Sequence, residues 1–333
     1  MANFFCAFLA CLFLTPFVIR FAAKRKLFDT PNQRKVHEEE IPRLGGVALT
    51  GSFLIGIFLT AQPETIFSMK LFLAGLLILF FVGLWDDLQP ISPLIKLTGE
   101  IIPVVLLVLS ARIPIENEYF PYADYLATIV LSFWIINAFN LVDGINGLAG
   151  TIGFIAFTAA AVAFPETRPL CLSMAGAIAA FLFFNFLNPK IFLGDSGSLI
   201  IGYCIVYAMT GIHSGADYLP LPKMTWPFIL PLVSLPMFDM VRVFMIRIFK
   251  KKNPFEGDRN HLHHLLLETG YSHVGATLII NLLTICNFGF TIALFYLNMN
   301  FKMVLVSNVL IPFIFTAILW KRVRLLRRNL SDH

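Results

Sequence analysis

The chain has 333 residues, of which 58% are hydrophobic and only 14% charged. Soluble domains are closer to half apolar and a quarter charged, so a water-soluble globular fold is excluded. The formal net charge of +5 therefore points to basic loops on one side of a membrane rather than to a nucleic-acid partner, and five cysteines without a CxxC pair, all inside apolar runs, exclude a disulfide framework.

A membrane span needs about 20 mostly apolar residues. Eleven such segments are predicted, over 2–22, 44–61, 69–85, 94–112, 124–141, 147–164, 170–187, 197–213, 225–248, 274–297 and 302–320. The first has its basic cluster, Lys24-Arg25-Lys26, after the apolar run rather than before it. That order predicts an uncleaved span, not a signal peptide. Basic residues then gather in the odd-numbered connections. Arg34, Lys35 and Arg43 follow the first span, Arg247, Lys250, Lys251, Lys252 and Arg259 the ninth, and Lys321, Arg322, Arg324, Arg327 and Arg328 the last. The even-numbered connections hold only Lys70, Arg112, Arg168, Lys223 and Lys302. By the positive-inside rule the odd side is cytoplasmic, the N-terminus outside and the C-terminus inside. The fold expected is all-α, a single polytopic membrane bundle of about eleven transmembrane helices with no separate soluble domain.

Five polar stretches interrupt this pattern, near 23–45, 86–96, 137–150, 188–198 and 249–273. All fall on the predicted cytoplasmic face, which argues for one composite site. A transporter would more often place such groups near the bilayer midplane. Arg43 with Gly45-Gly46 opens the second span, and Arg34, Lys35 and His37 before it could attract a phosphate at the interface. Asp86-Asp87 closes the third apolar run. Neighbours on a helix point about 100 degrees apart, so these two acids can serve different partners, as hard ligands for Mg²⁺ beside a phosphate or as a general base. At the centre, Asn137-Ala-Phe-Asn140-Leu-Val-Asp143-Gly-Ile-Asn146-Gly carries four polar side chains at three-residue spacing, where a plain helix cap would need one.

In Gly194-Asp195-Ser196-Gly197-Ser198 the small residues suit a phosphate approaching a helix start. Asp195 would repel that phosphate unless a metal bridged them, so it is expected to be a metal ligand; the competing assignment is an N-cap of the eighth span. His261-Leu262-His263-His264 lacks the four-residue spacing of a zinc hydrolase motif. With Asp258 and Arg259 beside it, it suits a clamp on an anionic substrate. Asp239 and Arg242, three apart, could pair with each other.

Taken together, the Asp-Asp pair, Asn-x-x-Asn-x-x-Asp-Gly-x-Asn-Gly, Leu-Gly-Asp-x-Gly-Ser and His-x-His-His, in this order and on one face, resemble the polyprenyl-phosphate N-acetylhexosamine-1-phosphate transferases. The motifs run from about Pro42 to His264. The resemblance implies a bundle of ten or eleven spans and a cytoplasmic site that depends on Mg²⁺, with Mn²⁺ as a substitute. It also implies transfer of a sugar 1-phosphate from a UDP-sugar to undecaprenyl phosphate, with release of UMP, as the first step of a cell-surface glycan such as an O-antigen or teichoic acid. Carried over by position, Asp86 and Asp87 stand near the lipid phosphate and metal, with Lys96 close by. Asn140 and Asp195 hold the metal and diphosphate, Asp143 and Asn146 face the nucleotide, and His261, His263 and His264 face the donor. Gln89 and Asn146 depart from the phospho-MurNAc-pentapeptide translocase branch, which carries a lysine and an aspartate there. A hexosamine donor, UDP-GlcNAc by default, is therefore expected. The implied setting is the bacterial cytoplasmic membrane, with the bilayer and a second copy of the chain, as a homodimer, as partners. Two other classes are weighed against this one: a transporter of nucleotide- or lipid-linked sugars, and a membrane metallohydrolase using the histidines.

Overall fold

The computed structural model describes residues 1–27, 41–113, 122–211, 226–253 and 260–331. Among these the secondary structure is helical. Each of the eleven predicted apolar segments forms a helix: α1 (Ala2–Arg25), α2 (Gly45–Thr60), α4 (Lys70–Leu88), α5 (Pro93–Ser110), α6 (Ala123–Val142), α7 (Leu148–Ala163), α8 (Arg168–Asn185), α9 (Asp195–Met209), α10 (Trp226–Phe249), α12 (His273–Tyr296) and α13 (Phe301–Ser331). Two short helices, α3 (Pro63–Ser68) and α11 (Leu262–Glu268), were not expected. The basic tail, which follows the last predicted span at residue 320, continues α13 to Ser331.

Eight of the eleven are long and apolar enough to cross a membrane. The other three, α2, α7 and α9, have 16, 16 and 15 residues, short of the roughly 20 that a full crossing needs. They are among the helices most enclosed by protein. Thirteen of the fifteen residues of α9 are buried, because α2, α4, α6, α7, α8 and α10 all pack around it. A helix apolar on every face is stable only when surrounded in this way. By contrast, α1 exposes Phe5, Leu9, Phe13, Phe17 and Phe21 along one side, as a lipid-facing helix should.

Close approach of helix ends sets up the polar centre. A side chain at Gly83 of α4 would place its Cβ 2.7 Å from the Ser196 Cα, and one at Gly46 of α2 would collide with the Gly197 nitrogen. These two glycines let α2 and α4 reach the first turn of α9. The approach is locked by backbone pairing: Gly45 N–H donates to the Phe192 carbonyl at 2.9 Å, Gly46 N–H to Leu193 at 2.7 Å, and Phe192 N–H to Pro42 at 2.8 Å.

Candidate active site

The first turn of α9 is the hub. Its free N–H groups need partners, and Asp87 supplies them: its carboxylate accepts from Asp195 N–H at 2.7 Å, Ser196 N–H at 3.0 Å and the Ser196 hydroxyl at 2.5 Å. The cap thus comes from Asp87 on α4, not from Asp195, whose own side chain is left to face the other way. Expected as an equal partner of Asp86, Asp87 is committed to backbone and hydroxyl donors. The two carboxylates do diverge, and only Asp86 looks into the polar centre.

There, Lys96 of α5 gathers three oxygens. Its ammonium donates to Asp86 at 3.3 Å, to the Asn140 carboxamide oxygen at 3.0 Å, and to Asp195 in the closest ion pair of the group. Asn140 in turn donates to Asp195 at 2.8 Å and to Ser198 at 3.2 Å. Asp86 is held by the Ile91 amide at 2.8 Å, and Lys96 is 8% exposed. Three residues singled out from three separate stretches of sequence, Asp86, Asn140 and Asp195, with Lys96 from a fourth helix, therefore meet within one hydrogen-bonded cluster.

Asp143 caps the C-terminal end of α6 next to this cluster. Burial and then the Asp195 charge push its carboxyl well above the usual carboxylate range, while Arg43 and a backbone hydrogen bond from Gly194 pull the other way. Arg43 is thus placed electrostatically against Asp143, and its carbonyl lies against Gly194. Asn146 lies in the following turn, where its carbonyl accepts from Thr277 of α12 at 3.1 Å. Asn185, not singled out in the sequence, braces this turn by accepting from Gly147 N–H at 2.9 Å and donating to Ile191 at 2.8 Å. Asn137 points to Glu100 of α5, at 2.6 Å.

The histidine stretch is not a solvated loop. His261 and His263 are buried, and Asp239 organises them. Its carboxylate accepts from His261 Nδ1 at 2.9 Å, from Leu262 N–H at 3.2 Å and from Arg242 Nη2 at 2.6 Å. Arg242 also reaches the Asn260 carbonyl. The pairing of Asp239 with Arg242 is thus real, and the same acid caps α11. His263 stacks between its neighbours, 5.7 Å from His261 and 4.2 Å from His264. Its Nε2 abuts Gly144, where no side chain would fit, so α11 joins the site at the Asp143 turn. Burial, then His264 and His261, hold the His263 imidazole well below its ordinary pKa, and Nε2 has no hydrogen-bond partner among the described residues. Arg259 lies outside the described residues, as do Asp258, Arg34, Lys35 and His37.

From the cluster a cavity of about 690 Å³ runs between α5, α6 and α10. Asp86, Lys96, Asn137, Asn140, Asp195 and Arg247 line its polar end, and Phe133, Trp134, Leu97, Met240 and Phe244 its apolar length. Trp134 pins α6 to α10 by donating to the Met237 carbonyl at 3.0 Å. Ile129, Val130 and Val241 on the rim remain exposed, so the apolar end opens toward the bilayer side. The size falls within the 300–1,000 Å³ of ordinary ligand pockets.

The chemistry of the donor set suits a cation. Two carboxylates and a carboxamide oxygen converge on one positive nitrogen, a hard-oxygen cradle of the kind Mg²⁺ accepts. Among the described residues no three His, Cys, Asp or Glu side chains form a complete protein cage for a metal.

A family profile described as glycosyl transferase family 4 matches residues 69–213, the stretch that holds Asp86, Lys96, Asn140 and Asp195. The chain is similar to the probable undecaprenyl-phosphate N-acetylglucosaminyl 1-phosphate transferase of Bacillus subtilis (strain 168), with 31% identity over 296 residues, covering 84% of this chain and 80% of that protein. It is also similar to the undecaprenyl-phosphate alpha-N-acetylglucosaminyl 1-phosphate transferases of Salmonella typhi, 30% identical over 295 residues covering 81% and 78%, and of Yersinia pestis, 29% identical over 280 residues covering 78% and 75%.

Proposed function

The chain belongs to the glycosyl transferase family 4 of polyprenyl-phosphate N-acetylhexosamine-1-phosphate transferases, and from that premise we propose that it is an enzyme that transfers a sugar 1-phosphate from a UDP-sugar to undecaprenyl phosphate. The observation that carries this reading is the continuity of the polar cluster with the apolar cavity. A polyprenyl phosphate needs both surfaces at once, apolar wall for the chain and cationic groups for its head. A transporter does not need a buried lysine locked among carboxylates at one end of the bundle, and a zinc hydrolase would use the histidines, which here are turned inward onto Asp239 and each other.

In this reading an oxygen of the acceptor phosphate forms a new bond to the β-phosphorus of the donor. The bond from that phosphorus to the bridging oxygen breaks, and UMP leaves. Most of the catalysis in such transfers comes from positioning and charge stabilisation. Lys96, at the polar end of the cavity, adds positive charge beside the phosphates, and Asp86 orients the acceptor and takes any proton it carries. Asn140 and Asp195 hold Mg²⁺, which supplies charge neutralisation of the diphosphate when bound. Asp143 and Asn146 lie toward the nucleotide, with the His263 side of α11 closing over them. The apolar wall keeps water from competing with the acceptor. The donor best suited is UDP-GlcNAc, the site faces the cytoplasm of a bacterial inner membrane, and the product starts a cell-surface glycan.

The test is transfer from radiolabelled UDP-GlcNAc to defined undecaprenyl phosphate, scored by UMP release and lipid-linked product. Asp86→Asn and Asp195→Asn should each lower turnover at least about 100-fold, the scale of losing a charge-positioning group. Full activity in both would refute the assignment.

A further inference from the structure

Glu100 is an acid near the centre that neither this mechanism nor the capping of α9 uses. It lies on α5, is fully buried, and receives one hydrogen bond, from Asn137 at 2.6 Å. Its other oxygen, Oε1, has no hydrogen-bond partner among the described residues. A buried carboxyl with an unmatched oxygen is unfavourable, and it stays ionised only with a cation close enough to compensate; otherwise it takes up a proton. The nearest cation on the same helix is Lys96, four residues earlier, and residues at that spacing stand on one face. Yet the Lys96 ammonium is turned away, into the cradle of Asp86, Asn140 and Asp195.

We propose that Lys96 has two seats: the oxygen cradle it occupies here, and the free oxygen of Glu100, to which it withdraws when a divalent cation enters the cradle. Glu100 is then a positioning residue for the metal rather than a ligand of it. The inference rests on the reading of Asn140 and Asp195 as the metal site. Three observations support it. The cradle cannot hold an ammonium and a divalent ion at the same three oxygens. Among the described residues, the buried side-chain oxygen within one helical turn of Lys96 that lacks a partner is on Glu100. Lys96 and Asn137, the partner of Glu100, both line the cavity, so the ammonium and the amide that holds Glu100 share one wall of it, with Glu100 itself buried beneath. The arrangement makes an empty cradle self-neutralising, and it places a positive charge beside the metal only once the metal is bound.

The experiment is Mn²⁺ binding by the full-length protein in detergent micelles, read from loss of the free-ion electron paramagnetic resonance signal, with no substrate present. Four proteins are compared: wild type, Lys96→Met, Glu100→Gln and the double variant. Removing the resident ammonium should tighten Mn²⁺ binding by about 10-fold, and removing the second seat should weaken it by about 10-fold in the wild-type background, the size expected of a partly buried charge pair. In the Lys96→Met background the Glu100→Gln change should matter less than about 3-fold, because the two act through each other. Glu100→Asp, which keeps the charge and shortens the reach, provides a second variant weakened in the same direction should the glutamine form fail to fold. The inference is overturned if Lys96→Met binds Mn²⁺ no more tightly than wild type, or if Glu100→Gln weakens binding equally in both backgrounds, which would make it a plain field effect. Absence of Mn²⁺ binding in all four proteins would instead overturn the metal reading itself, and the inference with it.

Discussion

The division of labour between Asp86 and Asp87 can be tested directly, because the two acids should fail in different ways. Asp87 holds two backbone N–H groups and one hydroxyl of the first turn of α9, at 2.7, 3.0 and 2.5 Å. Replacing a helix cap by alanine costs about 0.5–2 kcal/mol, and leaving a buried donor without its charged acceptor adds about 1–3 kcal/mol. Asp87→Ala should therefore destabilise the protein by about 2–4 kcal/mol, at the helix on which the site is built. Asp86 accepts from the Ile91 amide and Lys96 and lies against Asp195. Its removal also relieves repulsion with Asp195, so Asp86→Ala should change stability by less than about 1 kcal/mol while abolishing transfer. The assay is the thermal denaturation midpoint of detergent-solubilised protein, run beside the turnover measurement. Equal midpoints for the two variants, or a larger loss for Asp86→Ala, would refute the capping role.

Three further outcomes are expected. Asp239→Ala leaves Arg242 and His261 without their shared acceptor; breaking such a buried pair should cost about 3–5 kcal/mol, and a milder Asp239→Asn should raise the KM for the UDP-sugar more than it lowers kcat, measured by UMP release. Gly83→Ala puts a methyl 2.7 Å from the Ser196 Cα, so α4 and α9 must separate; a loss of about 1–3 kcal/mol in denaturation assays is expected, where a neutral result would mean that the helix ends can shift freely. His263 is held below its ordinary pKa by burial and by its histidine neighbours. The unfolded chain then binds the proton more readily, so stability is present above the ordinary histidine pKa of about 6.5 and falls as pH drops through it. The denaturation midpoint should decline between about pH 7 and pH 5 in the wild type and more shallowly in His263→Leu.

Much of this protein is legible in its sequence, because a membrane makes local signals strong. Runs of about 20 apolar residues must be helical to satisfy their backbone, and each of the eleven apolar segments is a helix in the structure. Polar side chains at the ends of such runs are costly without a partner, which is why Asp86, Asn140 and Asp195 stood out before any geometry was known. Length alone was a poorer guide: α2, α7 and α9 are too short to cross unaided and depend on the helices around them.

What only the tertiary structure decided is which partner each polar group meets. Adjacent aspartates look alike in sequence, yet a 100 degree turn of helix sends Asp87 to cap α9 and Asp86 to face Lys96. Glu100 lies inside an apolar stretch with no motif around it, and its significance comes only from a neighbour on another helix, Asn137. Asn185 was equally silent, since Gly147 is 38 residues away in the chain, and for Asp239 the sequence offered only Arg242, three residues on, and not His261, 22 residues on. The oxygens around Lys96 come from α4, α6 and α9. Their convergence depends on glycines that admit one helix end against another, a relation that no periodicity within a single segment can record.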